Sequence, residues 1–210
     1  MIALYAITDN PGPPLPDLEQ LRLVPVNGLA AVCMPAGETE MSAEAFWRHE
    51  EVVEALMADR DLLPVRYGTR LEDEEAVARA VAERRDELAA ALERVRGSVE
   101  LSVRVMRAGT QSTVLPAAGA SSGAEYLQQR ARSDASRERT ARALHAPLSE
   151  LARASVQGQP RPQELFRAAY LVGRDGVDRF AAGVARLQEQ TPGVSILCTG
   201  PWPPYSFVEQ

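Results

Sequence analysis

The chain contains no lysine: all 23 of its basic residues are arginine. That excludes Schiff-base chemistry and phosphate-binding loops that depend on a lysine. Histidine is almost as scarce, with only His49 and His145, nearly a hundred residues apart. His49-Glu50-Glu51 resembles the start of a metalloprotease helix, but valine occupies position 53, where the second histidine belongs. The two cysteines, Cys33 and Cys198, have no partner at metal-ligand spacing. Each lies in an apolar, strand-like run (Leu29–Met34 and Val194–Cys198) and reads as a buried, reduced thiol. No Gly-x-Ser-x-Gly elbow, Walker loop or dinucleotide fingerprint occurs. No stretch approaches the ~20 apolar residues of a membrane helix, and the N-terminus lacks a basic-then-apolar leader pattern. These absences remove whole reaction classes and leave structural or solvated readings for the histidines and cysteines; the expected compartment is the cytoplasm, with no membrane segment.

Of what is present, 210 residues with 45% hydrophobic and 25% charged side chains suit a globular chain of two small domains. Charge is divided unevenly. Residues 1–97 carry a net −9 and residues 98–210 a net +3. An acidic half beside a mildly basic one is not the coherent basic face of a nucleic-acid protein. It permits docking on partners of opposite sign.

The first half reads as strand Ile2–Thr8, a proline-rich break, a short helical turn at Asp17–Leu21, and a hairpin whose arms are Leu23–Val26 and Leu29–Met34. Asn27-Gly28 supplies the type I′ turn, and Pro25 demotes the first arm to an edge strand. Ser42 caps a helix running to about Arg60, with Phe46, Val53, Leu56 and Met57 on one face. Leu62–Thr69 reads as a strand with Arg66 in its middle, either on the outer sheet face or paired at an interface. Asp73 caps a second long helix with a stripe at Val77, Val81, Leu88, Leu92 and Val95, and Gly97 ends it. This order predicts an N-terminal ferredoxin-like (split βαβ) domain over 1–97.

The second half, 98–210, opens with strand Val99–Met106. A small-residue loop follows at Leu115–Gly123, then a helical stretch from Tyr126 to Ala154 that Pro147 should kink or split. Gln157–Pro162 reads as a linker, Phe166–Gly173 as a strand and Val194–Cys198 as the last strand. Between them Val177–Gln190 reads as a helix with Val177, Phe180, Val184 and Leu187 facing inward. The α+β pattern is that of a modified ferredoxin-like domain with a long helical insertion.

Two carboxylate groups, Glu50/Glu51/Glu54 and Glu72–Glu75, lie at helix starts or opposite apolar stripes and read as solvated faces rather than as acid–base pairs. Arg130, Arg132, Arg137, Arg139 and Arg142 alternate with Ser and acidic residues, so they read as a solvated face, with a docking strip for an acidic partner as the alternative. The tail, 199–210, is unlike the rest. Three prolines and a glycine lock the backbone around Trp202, Tyr205 and Phe207. Such a segment is either a plug that closes a core or a preformed surface. As it follows the last strand, it is expected to pack some of its rings on the second domain.

Several stretches occur together in one order: Leu4-Tyr5-Ala6-Ile7, Gly28-Leu29-Ala30-Ala31-Val32, His49-Glu50 with Ala55-Leu56-Met57, Leu63-Pro64-Val65-Arg66-Tyr67-Gly68-Thr69, Tyr126-Leu127, Leu144-His145, and Thr199–Phe207. The chain thereby resembles the gas vesicle protein GvpL/GvpF family along essentially its whole length. The resemblance implies a two-domain α+β accessory or minor structural protein of gas vesicle formation, non-enzymatic and without cofactor. It also implies the hydrophobic shell protein and other gas vesicle proteins as partners. Partner-binding residues are expected at Arg66, Tyr67, Trp202, Tyr205 and Phe207, because rigid aromatic anchors lose little entropy on binding. The alternative reading is a ferredoxin-like module for a small ligand.

Overall fold

The computed structural model describes residues 1–9, 12–16, 20–37, 42–107 and 138–208. Its elements are β1 (Ile2–Asp9), β2 (Arg22–Val26), β3 (Leu29–Pro35), α1 (Ala43–Met57), β4 (Leu62–Pro64), β5 (Arg70–Leu71), α2 (Glu74–Glu83), α3 (Arg85–Val95) and β6 (Ser98–Arg107). Then come a helix α4 over 138–149, β7 (Ala154–Gln157), β8 (Glu164–Gly173), α5 (Val177–Gln190) and β9 (Val194–Trp202). The fold is mixed α and β, with two sheets and five helices among the described residues. The chain divides into two compact units: Met1–Glu100 with Pro201–Gln210, and Leu101–Gly200.

In the first unit the strands run in the order β2-β3-β1-β4, and β5 also pairs with β1. The β2–β3 hairpin forms where Asn27 (φ 46) and Gly28 (φ 87) supply the two left-handed residues of its turn. Val26 pairs with Leu29 across it. Pro25 is tolerated because β2 is an outer strand. β1 is the central strand and is buried along most of its length. Ser42 Oγ accepts from the Ala45 amide at 3.1 Å and starts α1, which buries His49, Val52, Val53, Leu56 and Met57. Phe46, placed on that buried stripe by spacing, is instead 39% exposed. Just past α1, the buried Arg60 donates to the Pro13 and Pro14 carbonyls and ties down the proline-rich loop.

The helix expected after Asp73 is two helices. Asp73 caps α2, and the ladder breaks at Arg84, whose φ of −111° and ψ of 17° are not helical. Asp86 and Glu87 then restart α3 with acidic groups at the positive end of its dipole. Gly97, at φ +64°, turns the chain after α3, and its amide donates to Asp61 at 2.8 Å. The expected short helix at Asp17–Leu21 falls largely on residues outside the described ones.

The second unit has the strand order β7-β8-β6-β9, the same second-third-first-fourth arrangement as the first sheet. Its core gathers Val103, Val105, Leu144, Leu148, Phe166, Tyr170, Phe180 and Val184. The α5 helix spans Val177–Gln190 as its spacing predicts, with Phe180 and Val184 buried and Val177 and Leu187 packed beside them. Residues 154–157, where the sequence predicts a helix end at Ala154 and a linker from Gln157, form the edge strand β7 against β8. The helix α4 passes through Pro147, which has no amide to offer the Ala143 carbonyl one turn back, and ends two residues later. The loop Leu115–Gly123 and Arg130, Arg132 and Arg137 lie outside the described residues. Arg142 on α4 pairs with Glu138.

Candidate functional site

Leu62–Thr69 is not one continuous strand. Only Leu62–Pro64 pairs with β1, opposite Thr8, Ile7 and Ala6. Val65 still donates its amide to the Tyr5 carbonyl at 2.9 Å, and then the chain leaves the sheet edge. The excursion closes when the Thr69 amide and hydroxyl both donate to the Arg66 carbonyl, at 3.2 and 2.8 Å, with Gly68 at φ +88°. Leu4 then donates to the Thr69 carbonyl at 3.1 Å, and β5 resumes pairing with β1. Arg66 therefore sits in a turn rather than mid-strand, and its side chain is exposed.

His49 holds this turn from the α1 side. It is 3% exposed, and its Nε2 lies 2.9 Å from the Val65 carbonyl. A carbonyl only accepts, so Nε2 carries the proton. The ring stacks on Tyr5 (centroids 4.7 Å apart, 19° between planes) and meets Tyr67 edge-on at 5.7 Å. Burial holds its pKa below the ordinary imidazole value, against the pull of the Val65 carbonyl and of Glu50. Tyr67 in turn receives Phe46 edge-on at 5.6 Å, and Phe46 meets Trp47 at 5.5 Å. Trp47 is 64% exposed. An aromatic ladder thus runs from the buried Tyr5 to the surface at Trp47.

The tail joins the first unit rather than the second, against expectation. Pro203 and Pro204 are buried, and Tyr205–Phe207 forms a single 3₁₀ turn. The Tyr205 hydroxyl donates to Glu50 Oε1 on α1 at 3.0 Å. The Ser206 amide and hydroxyl both donate to the Glu100 carboxylate at 2.8 Å. Burial raises the Glu100 pKa, with the two Ser206 bonds opposing it, and burial together with the Glu50 charge raises that of Tyr205. Tyr205 and Phe207 are half-buried, while Trp202 is 41% exposed.

A cavity of about 320 Å³ lies where these stretches converge. Leu4, Ile7, Leu63 and Val81 supply apolar walls, Pro64–Arg66 and Thr69 come from the turn, and Val208 from the tail. Arg84, at the break between α2 and α3, also lines it and donates to Glu87 at 2.9 Å. Of the five expected site residues, Arg66 lies on this cavity, Tyr67 sits between the lining residues Arg66 and Thr69 without lining it, and Tyr205 and Phe207 are on the turn before Val208. Trp202 is at the end of β9. Sequence reasoning missed Phe46 and Trp47 as a surface pair, and it missed Glu50 and Glu100 as the tail's anchors. The aromatic Phe46-Trp47 doublet at the start of α1 was the available signal for the first. Among the described residues no three His, Cys, Asp or Glu side chains are grouped to hold a metal ion. Both cysteines are free thiols whose pKa burial raises; Cys33 is buried as expected, while Cys198 is half-buried. No helix of the described residues is long and apolar enough to cross a membrane.

The family model for gas vesicle synthesis protein GvpL/GvpF matches residues 2–209. Gas vesicle protein L of Streptomyces sp. (strain CB03234) is 35% identical over 185 residues, which cover 79% of this chain and 69% of that one. Gas vesicle protein F2 of Halobacterium salinarum is 28% identical, with coverage of 81% and 70%. In fold, the chain is similar to the crystal structure of the gas vesicle protein GvpF from Anabaena sp. PCC7120, with a TM-score of 0.85, 19% identity and coverage of 100% and 96%. GvpF from Microcystis aeruginosa superposes with a TM-score of 0.77 at 18% identity, over 100% of this chain and 99% of that one. The chain belongs to the GvpL/GvpF family of gas vesicle synthesis proteins.

Proposed function

We propose that this protein is an accessory or minor structural component of gas vesicle formation that holds an apolar segment of the shell protein, or of another gas vesicle protein, on its first unit. The observation that carries the reading is convergence. The Leu63–Thr69 stretch lines an apolar cavity that Val208, just past the tail's aromatic turn and more than a hundred residues away in sequence, helps to close. An aggregation-prone apolar partner needs exposed anchors that are already rigid, since each rotamer-rich side chain immobilised on binding costs about 0.5–1.5 kcal/mol. Trp47, Phe46 and Trp202 offer exposed aromatic surface, and the turn and tail behind them are pinned by hydrogen bonds. Arg66, Tyr67, Trp202, Tyr205 and Phe207 are the residues assigned to partner binding, now with Phe46 and Trp47. The protein acts without cofactor, in the cytoplasm and at the gas vesicle. The repeated strand order supports a ferredoxin-like architecture in both units.

Co-purification with the shell protein, comparing wild type with Trp47→Ala, Trp202→Ala and Phe207→Ala, tests the assignment. The expected result is loss of capture in at least two variants that keep the wild-type circular dichroism spectrum. Unchanged capture by all three, folded, overturns it.

A further inference from the structure

A second cavity of about 270 Å³ lies beside the aromatic ladder and is lined by Tyr5, Met34, Arg48, His49, Tyr67 and Arg70 among others. It differs from the first in kind. Two arginines share a small volume, and no carboxylate among the described residues lines it. The Arg48 guanidinium makes no hydrogen bond or ion pair among the described residues, while Arg70 donates to the Gly37 carbonyl at 3.4 Å. Tyr5 is only 7% exposed, yet among the described residues the partner of its hydroxyl is the Met34 thioether, 3.9 Å away. Sulfur is a weak acceptor, so a buried donor stands with its capacity largely unspent, an arrangement folded proteins rarely leave without a reason.

We propose that this cavity is a binding site for a small organic anion, in which Arg48 and Arg70 hold the charged oxygens and the Tyr5 hydroxyl donates to one of them. Arginine suits the task because its planar fork matches carboxylate and phosphate oxygens. The volume lies just below the ~300–1,000 Å³ of drug-sized ligand sites and exceeds what a bare inorganic ion needs, so the anion carries a small organic body. The fields of both arginines reach the phenol: burial raises the Tyr5 pKa and the two cations pull it back. The His49 Nε2 proton is already committed to Val65, so the histidine supplies wall rather than charge. The site adjoins the apolar cavity, with Leu4 and Thr69 on both and Tyr67 in its wall, but its test reads anion binding alone.

Isothermal titration calorimetry with inorganic phosphate and with succinate, against sodium chloride at equal ionic strength, tests the site. Saturable binding of either probe is expected, weakened about tenfold or more by Arg48→Ala and several-fold by Tyr5→Phe. Arg48 is exposed, so its removal leaves the core intact. A preference for phosphate assigns a phosphate monoester as the natural ligand, and a preference for succinate assigns a carboxylic acid. Absence of saturation with both probes, or affinity unchanged in Arg48→Ala, overturns the proposal.

Discussion

Replacing His49 separates the contributions that hold the Val65–Thr69 turn to α1. In His49→Phe the ring and its stack on Tyr5 are kept, but the donor to the Val65 carbonyl is lost. An unpaired acceptor facing a phenyl ring costs about 1–3 kcal/mol. His49→Ala removes the ring as well from a site 3% exposed, and the expected loss rises to about 3–5 kcal/mol. Against a typical stability of about 5–15 kcal/mol the second variant is close to unfolding and the first is not. Urea denaturation at pH 7.5, followed by tryptophan fluorescence, reads the difference as a lower midpoint. With a slope of about 1–3 kcal/mol per molar, His49→Phe should shift by roughly 1 M.

The pH dependence makes the same variant a sharper test. The folded-state pKa of His49 is lowered, so neutral His49 contributes stability that is present above the ordinary value of 6.5 and lost as pH falls through the folded value. Phenylalanine does not titrate. The stability gap between wild type and His49→Phe should therefore narrow on acidification from pH 7.5. The His145 pKa is also lowered by burial, but that residue is common to both proteins and cancels in the difference. A gap that stays constant or widens would mean that the folded protein carries a charged His49, and it would refute the assigned proton and the buried environment together.

Glu100→Gln should show the opposite sign. The Glu100 pKa is raised in the folded state, so its contribution is full below the unfolded value and lost as pH rises; the wild-type advantage over the variant should grow on acidification, in the same urea assay. At neutral pH the amide presents only one acceptor to the two Ser206 donors, a loss of about 1–3 kcal/mol, and amide hydrogen exchange should speed up at Ser206. Gly97→Ala forces an L-residue to φ +64° and should cost about 1–2 kcal/mol by thermal unfolding; an unchanged midpoint would mean that the turn after α3 relaxes freely.

Features set by a few adjacent residues were legible in the sequence. The Asn27-Gly28 turn, the Ser42 and Asp73 caps and the α5 stripe each follow from local chemistry, and neighbours decide them. Pro25 at a sheet edge follows in the same way. Features set by distant partners were not legible. Leu62–Thr69 has the composition of a strand, and it leaves the sheet because His49, sixteen residues away, binds the Val65 carbonyl. Phe46 has the right spacing for the core but emerges, since Tyr67 in that same turn offers it an edge. The break at Arg84 has no Gly or Pro to announce it. Its signal is subtler, a pair of arginines followed by Asp86 and Glu87 at the start of a new first turn.

The tail illustrates why chain continuity is a poor guide to packing. It follows β9 directly, and that adjacency suggested the second unit, yet its anchors are Glu50 and Glu100, 155 and 106 residues away. Prolines explain how so short a segment makes such a choice. Pro203 and Pro204 fix φ, so little backbone entropy is lost when the segment docks, and three hydrogen bonds to carboxylates suffice to decide its place. The same economy governs what is left outside. With Pro203 and Pro204 buried and Tyr205 and Ser206 bonded inward, Trp202 keeps 41% of its surface in water. Plug and presented surface are thus not alternatives for this tail: its prolines are buried and its turn is bonded to carboxylates, while the indole of Trp202 stays partly in water.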